Sequence, residues 1–371
     1  SLQWWNARQL PVSADAGPVR MLTYAGATIP TTVFDYEIEH DWGAVYVVGQ
    51  RVLLDRRDIP AEPNLSTLQR SHEQGALVCY QGGWSREVLL DALLGCVDVV
   101  NVCNNNFLRH AYQPRSRYSN LLQVPGFPTY ANTAQEMWRM NTETYYRLLN
   151  CGLRLAAGAG SATGAKRTPV GYNRAYVRVN RDATWKEFLN NWRLGKNFVT
   201  NGPMLFLQVN EQARPGDTIS LDQAGSRLHV EVEAWFPYPL ADLELVMNGQ
   251  VVHRVSQPES GAVIRLPITI NESAWLIARC TAADRLLNDK EQSAYAWGSA
   301  KMPREPTRLR FAHTSPVYLS LQDKPIRVRE SVREAHQMLD ALERFAASHT
   351  TEKTQAEVAA ALKAAREHLE N

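Results

Sequence analysis

The sequence has no long apolar run. No stretch approaches the length of a membrane-spanning helix, and none has the layout of a signal peptide. Charge imbalance is small. The 40 lysines and arginines set against 38 aspartates and glutamates leave +2, which offers no hold to a nucleic acid or an acidic membrane surface, so neither is expected as a partner. Cysteine is scarce: the five residues Cys79, Cys96, Cys103, Cys151 and Cys280 are too few and too scattered for a disulfide framework, and no pair has the spacing of a zinc site. Cys79, Cys96, Cys103 and Cys151 sit in or beside apolar runs and read as small buried hydrophobes. A nucleophile elbow of the form G-x-S-x-G is absent around Ser161, and the glycines at 158, 160 and 164 lead into Pro169, Gly171 and Tyr172. A phosphate-binding loop would instead be followed by a helical run.

What remains is an ordinary soluble globular composition, 44% hydrophobic and 21% charged over 371 residues, enough for two domains with separate cores. The opening SLQWWNARQL reads as the interior of a longer protein, with the true N-terminus and any export signal missing.

Up to about Pro203 short apolar runs alternate with helical patterns. AVYVV (44–48), ALVCY (76–80) and VDVVNV (97–102) read as buried strands; 86–94 and 137–150 read as helices, and the proline-bearing 109–135 as an irregular insertion. This alternation predicts an α/β domain with a parallel sheet or barrel over 1–203. At Thr184 and Glu187 the spacing is that of a capping box, followed by an apolar face of Trp185, Phe188, Leu189 and Trp192 and a stop at Gly195. From 204 to 325 strand-like runs are separated by turn residues, and Asn248-Gly249 between two of them is the strongest hairpin signal in the chain, which predicts an immunoglobulin-like β-sandwich. Segment 326–371 has Val332, Leu339, Leu342 and Phe345, then Val358, Leu362, Ala365 and Leu369, at helical spacing, which predicts a C-terminal helical hairpin.

The densest chemistry is DYEIEHD, 35–41. In a strand, Glu37 and Glu39 share one face while Ile38 and His40 take the other. Two carboxylates so placed can hold a divalent cation or divide acid and base roles; equally they can form a solvated strand edge. Asn104, Asn105 and Asn106 follow a predicted strand, where a run of amides orients a polyhydroxylated ligand or simply makes a turn. His110, Ser161, Tyr172, Asn173 and Arg174 are further polar residues near predicted strand ends, whereas His313 in FAHTSPVY reads as a hydrogen-bonded structural histidine.

Several phrases together, NCGLRLAAGAGSATG, PVGYNRAYVRV, WRLGKNFVTNGP, RPGDTISL and AHTSPVYL, resemble the CehA/McbA family of PHP-domain metallohydrolase homologues. The resemblance covers nearly the whole chain. It implies a distorted (β/α)7 barrel, partial here at its N-terminus, that binds divalent metals at a hydrolytic site. Carried over position by position, the family's acidic ligand falls on Glu37, and the histidine after a glycine falls on Ala44. The histidine-proline falls near Gln81 and Gly82, and the late glycine-serine-aspartate-x-histidine falls on Gly160 to Gly164. The first histidine-x-histidine motif would precede residue 1. The expectation is therefore a homologue with a degenerate metal site that binds a polar small molecule or carbohydrate. The alternative is a divergent mononuclear hydrolase of phosphoester, ester or glycosidic bonds, in which Glu37 and Glu39 hold one Zn, Mn or Mg ion.

Overall fold

A computed structural model describes residues 3–5, 19–24, 27–32, 35–51, 63–103, 124, 126–130, 134–161, 171–282 and 309–370. The first sheet runs in the order β1 (Gln3–Trp5), β4 (Asp35–His40), β5 (Gly43–Val48), β6 (Leu77–Tyr80), β7 (Val99–Cys103) and β8 (Ala156–Ala159). A separate hairpin joins β2 (Val19–Tyr24) to β3 (Ala27–Thr32). β6, β7 and β8 are parallel, linked through α2 (Val88–Leu93) and α3 (Ala134–Asn150), as the alternation predicts. β4 and β5 run antiparallel, because Asp41 and Trp42 are too short a link to return the chain for a parallel strand; β6, which follows α1 (Leu65–Glu73), is also antiparallel to β5.

Among the described residues no sheet closes into a barrel; β1 and β8 are the two edges of the first sheet. The expected barrel closure is thus corrected to an open mixed sheet, since apolar alternation is the same in an open and a closed sheet.

Both faces of this sheet are covered, which is why its strands read as nearly continuous apolar runs. Val45, Val47, Val78, Tyr80, Val100, Val102 and Ala157 point into a core shared with α2, α3, α5 (Arg329–His349) and α6 (Glu352–Glu370). Tyr46, Val48, Leu77, Cys79, Val99 and Ala156 point the other way, against Leu189 and Trp192 of α4 (Trp185–Arg193). α4 begins as its capping box predicts, with the Glu187 amide donating to Thr184 Oγ1 at 3.2 Å. The C-terminal pair forms as expected, burying Leu339 and Leu342 of α5 and Val358, Leu362, Ala365 and Leu369 of α6.

Two further sheets face each other around a second core. One holds β12 (Thr218–Leu221), β19 (Val317–Leu321), β17 (Ala274–Ala282), β18 (Phe311–Thr314), β10 (Asn197–Thr200) and β9 (Arg174–Val177), with β14 (Leu240–Met247) and β15 (Gln250–Ser256) paired beyond β17. The other holds β11 (Met204–Val209), β13 (Ser226–Trp235) and β16 (Ala262–Ile270). Asn248 and Gly249 turn β14 into β15 with φ of 48° and 85°, the left-handed pair a two-residue hairpin demands. β9 and β10, which precede residue 203, are hydrogen-bonded into the larger of these sheets through β18.

Two buried titratable groups oppose each other in their pH dependence. His313 on β18 is fully buried, with Nε2 2.8 Å from the Tyr146 hydroxyl, and burial together with the nearby Arg279 charge pushes it from 6.5 down to about 3. Asp91 on α2 is fully buried and accepts a hydrogen bond from the Tyr80 hydroxyl, yet burial pushes it from 3.8 up to about 8. Unfolding lets His313 take up a proton below its ordinary value, so its contribution to stability is lost as pH falls from 6.5 towards about 3. Unfolding lets Asp91 release a proton, so its cost grows as pH rises from 3.8 towards about 8. Chemical denaturation across this range should show His313→Asn removing the acid-side loss and Asp91→Asn removing the alkaline-side loss. Each change should alter the slope by about 1.4 kcal/mol per pH unit, with opposite signs. Parallel pH profiles for both variants and the parent would contradict these assignments.

Candidate functional site

The α4-facing side of the first sheet carries a row of polar groups. In register, Glu37 on β4 lies opposite Tyr46 on β5, Tyr46 opposite Cys79 on β6, and Cys79 opposite Val99 on β7. Two residues further along β7 comes Asn101, opposite Gly158 on β8. Strand alternation therefore places Glu37, Tyr46, Cys79 and Asn101 on one face. The Tyr46 hydroxyl donates to Asn101 Oδ1 at 2.7 Å, and the Cys79 thiol donates to the same oxygen at 3.7 Å. Gln81, just beyond β6, donates from Nε2 to Glu37 Oε1. Ile38 takes the opposite side, in the first core, as the expected alternation requires. On that side His40 Nδ1 accepts from the Trp42 amide at 3.2 Å.

Gly158 is what lets Asn101 sit in this row. A Cβ at 158 would overlap Asn101 Oδ1 and stand 2.6 Å from Val99 Cγ1, so any side chain there displaces the amide. Past β8 the chain stays near the same group: a Cβ on Gly160 would lie 3.1 Å from Asn101 Nδ2. The Gly160 carbonyl accepts from Asn173 Nδ2 at 2.8 Å. Ser161 Oγ accepts from the Asn173 amide at 3.0 Å and donates to the Asn173 carbonyl at 3.3 Å. Asn173 is thereby fixed against the end of β8. Its Oδ1 and the neighbouring Arg174 Nε are both buried and have no hydrogen-bond partner among the described residues. Arg174 also donates from Nη1 to the Gly171 carbonyl at 2.9 Å, and the buried Tyr172 ring lies under the Arg310 guanidinium at 5.0 Å.

Of the residues predicted from sequence, Ser161, Asn173 and Arg174 come together at the end of β8. Glu37 sits at the far side of the same sheet face, bonded to Gln81 and in register with Tyr46, whose hydroxyl reaches Asn101. Glu39 shares its face by alternation, opposite Ala44. Asn104, Asn105 and His110 lie outside the described residues, as do Ala162 and Gly164. Tyr46, Gln81 and Asn101 are the site residues that pattern reading passed over as ligand partners. The available signal was a polar residue inside a buried run: Asn101 in VDVVNV and Tyr46 in AVYVV.

Apart from Glu37, the row is built of neutral groups. Burial holds the Tyr46 phenol and the Cys79 thiol well above their ordinary values, and burial does the same to Cys103 despite the opposing pull of Arg174. All three are neutral at physiological pH and act as hydrogen-bonding groups. Ser161 is held by the Asn173 backbone, and among the described residues no histidine is hydrogen-bonded to it. Among the described residues no three His, Cys, Asp or Glu side chains gather in a way that can hold a metal ion. Of the described groups bonded to Glu37 or in register with it, Gln81 offers an amide and Tyr46 a neutral phenol, and Glu39 shares its face. No described helix is long and apolar enough to cross a membrane.

Comparison with protein-family models, with curated proteins and with solved structures returned no match.

Gly158→Ala should push Asn101 out of its bonds to Tyr46 and Cys79 and lower stability by about 1–3 kcal/mol, the usual cost of overpacking. Urea unfolding measures this. The double variant Gly158→Ala/Asn101→Ala should recover part of the loss, and a fully additive loss would show that the two positions do not compete for this space.

Proposed function

We propose that this chain is a PHP-like protein whose metal-ligand positions have been replaced, and that it binds a polar small molecule or a carbohydrate on the α4-facing side of the first sheet without multinuclear metal catalysis. On this reading the open first sheet and its helices correspond to the distorted barrel of the CehA/McbA-like family, and the two facing sheets to its immunoglobulin-like sandwich.

The observation that carries the proposal is the pairing of Gln81 with Glu37. Gln81 stands where the resemblance places a histidine-proline ligand motif. Its amide N–H occupies a carboxylate lone pair instead of offering an electron pair to a cation, so the one acid of the row is used as a hydrogen-bond acceptor. The neutral Tyr46 and Asn101 groups, together with Asn173 Oδ1 and Arg174 Nε, which have no partner among the described residues, add donors and acceptors suited to hydroxyl or amide groups on a ligand. The mononuclear hydrolase built on Glu37 and Glu39 lacks support, because no further ligand accompanies them among the described residues.

Purification of the chain with added manganese or zinc, followed by elemental analysis, should give substoichiometric metal. Thermal-shift screening with neutral sugars, polyols and sugar acids should identify a stabilising compound whose effect is lost in Asn101→Leu and Gln81→Leu. Stoichiometric metal that disappears in Glu37→Gln would overturn the proposal and restore the hydrolase reading.

A further inference from the structure

The three-stranded sheet buries one face against the second core and leaves the other open. On β13 the outward side chains are Arg227, His229, Glu231, Glu233 and Trp235, at every second position, while Leu228, Val230, Val232 and Ala234 point inward. The partners in register extend this face. Trp235 lies opposite Met204, and Glu233 lies between Phe206 and Val263. Glu231 lies between Gln208 and Arg265. Trp235 is 50% exposed, Phe206 46% and Val263 39%, a large apolar area to leave in water on neighbouring positions of one sheet.

The aromatic end is held in place. Trp235 donates its indole N–H to Glu233 Oε1 at 2.6 Å, and the ring edge lies over Gly261, where a Cβ would come within 3.0 Å of Cη2. The indole is thus presented with its polar edge already bonded. Phe206 meets Phe198 edge to face at 5.7 Å, and Phe198 stacks on Tyr176 at 5.0 Å with 9° between the planes. Arg174 stands over Tyr176 at 5.9 Å, so the aromatic row leads from the open sheet face to the residue beside Asn173.

Next to the aromatics along β13 the face turns polar and opens into a groove of about 300 Å³, lined by Gln208, Glu211, His229, Glu231, Arg265 and Pro267. Glu231 and Arg265 neutralise each other at 2.5 Å, which leaves Glu211 as the other carboxylate of the lining, so the groove does not favour an anion. Charged or polar side chains recur at every second position of β13, which does not suit the core of a protein–protein interface, where charged residues are depleted. The combination suits a neutral ligand with an apolar face and a rim of hydroxyls. A pyranose has that form, with axial C–H bonds to lie on a ring and equatorial hydroxyls to reach Glu233, Glu231, Gln208 and His229. From Trp235 to His229 the strand covers roughly 20 Å, the reach of a short oligosaccharide.

We propose that the open face of β11, β13 and β16 is a binding platform for a neutral oligosaccharide, with Trp235 and Phe206 as stacking residues and the Gln208–Glu231–Arg265 row as the hydroxyl-binding floor. The proposal goes beyond the site on the first sheet and stands independently of it.

The test is calorimetric titration of the whole chain with cellohexaose, xylohexaose, mannohexaose and maltohexaose, with tryptophan emission followed in parallel. At least one should bind with a Kd of about 1 mM or tighter, and Trp235→Ala should weaken it about tenfold. Phe206→Ala should weaken it by a smaller factor, while Val251→Ala, at an exposed position of β15 outside both faces, should leave it unchanged. If Trp235→Ala does not fold, Phe206→Ala together with a ligand-induced shift of tryptophan emission in the parent reports the same contact. No binding by any of the four at about 10 mM, or binding unchanged in the Trp235 and Phe206 variants, would overturn the platform. So would self-association through this face that is lost in the same variants.

Discussion

The architecture rests on the burial of α3 on more than one side. Met137, Met140, Tyr145, Leu148 and Leu149 pack in the first core, and so do Trp275, Ile277, Phe311 and Tyr318 from the outer face of the second sheet, so the helix lies between two sheets. Its first turns leave Gln135 and Arg139 in water, but the polar side chains buried further along need partners inside the protein. Asn141 accepts from the Trp84 indole at 2.9 Å, Thr144 donates to the Met140 carbonyl at 2.7 Å, Arg147 pairs with Glu334 at 2.6 Å, and Asn150 accepts from the Trp275 indole at 2.8 Å. Each of these bonds reaches either back into the helix or out to a different element, so the buried polar groups that would otherwise cost stability also fix how the elements meet. Tyr146 and His313 belong to the same seam, stacked 5.6 Å apart.

With α3 fixed, strand β8 that follows it has little freedom, and the candidate site inherits that rigidity. The Tyr145 hydroxyl donates to the Leu155 carbonyl at 2.6 Å, and the Ala157 amide donates to Ser315 Oγ at 2.8 Å. The start of β8 is tied to helix and sheet before Gly158 and Gly160 pass Asn101. The polar row is therefore preorganised: its amide and phenol dipoles are set by the scaffold rather than by a ligand, which lowers the ordering cost of binding.

Much of this was readable from the chain alone, and the reasons differ by feature. Apolar runs and helical spacing located β5, β6, β7, α2, α3 and the C-terminal pair, because burial on a known period leaves a direct trace. Local chemistry did the same for Thr184 with Glu187 and for Asn248-Gly249, where the bond or dihedral is made between near neighbours. Strand direction and sheet closure were not readable, since a strand such as AVYVV is equally apolar beside a parallel or an antiparallel neighbour. The joining of β9 and β10 to β18 was hidden for a related reason: pairing across more than a hundred residues leaves no local mark. In the candidate site, alternation put Glu37 and Glu39 on one face correctly. Tyr46 and Asn101 escaped notice because their polarity is diluted in strands buried on both sides, and Cys79, read as a plain hydrophobe, is buried but also donates to Asn101.

The packing of α5 and α6 has a consequence for the order in which the chain is made. The helices that complete the first core, with Leu342, Leu362 and Leu369 against it, are encoded some three hundred residues after β4 and β5. During synthesis the early strands emerge with one apolar face lacking its cover, and β9 and β10 wait for β18 in the same way. Contacts of such long range make folding slow and leave strand edges open meanwhile, so this chain places an unusual load on whatever shields it between the first strands and the last helix.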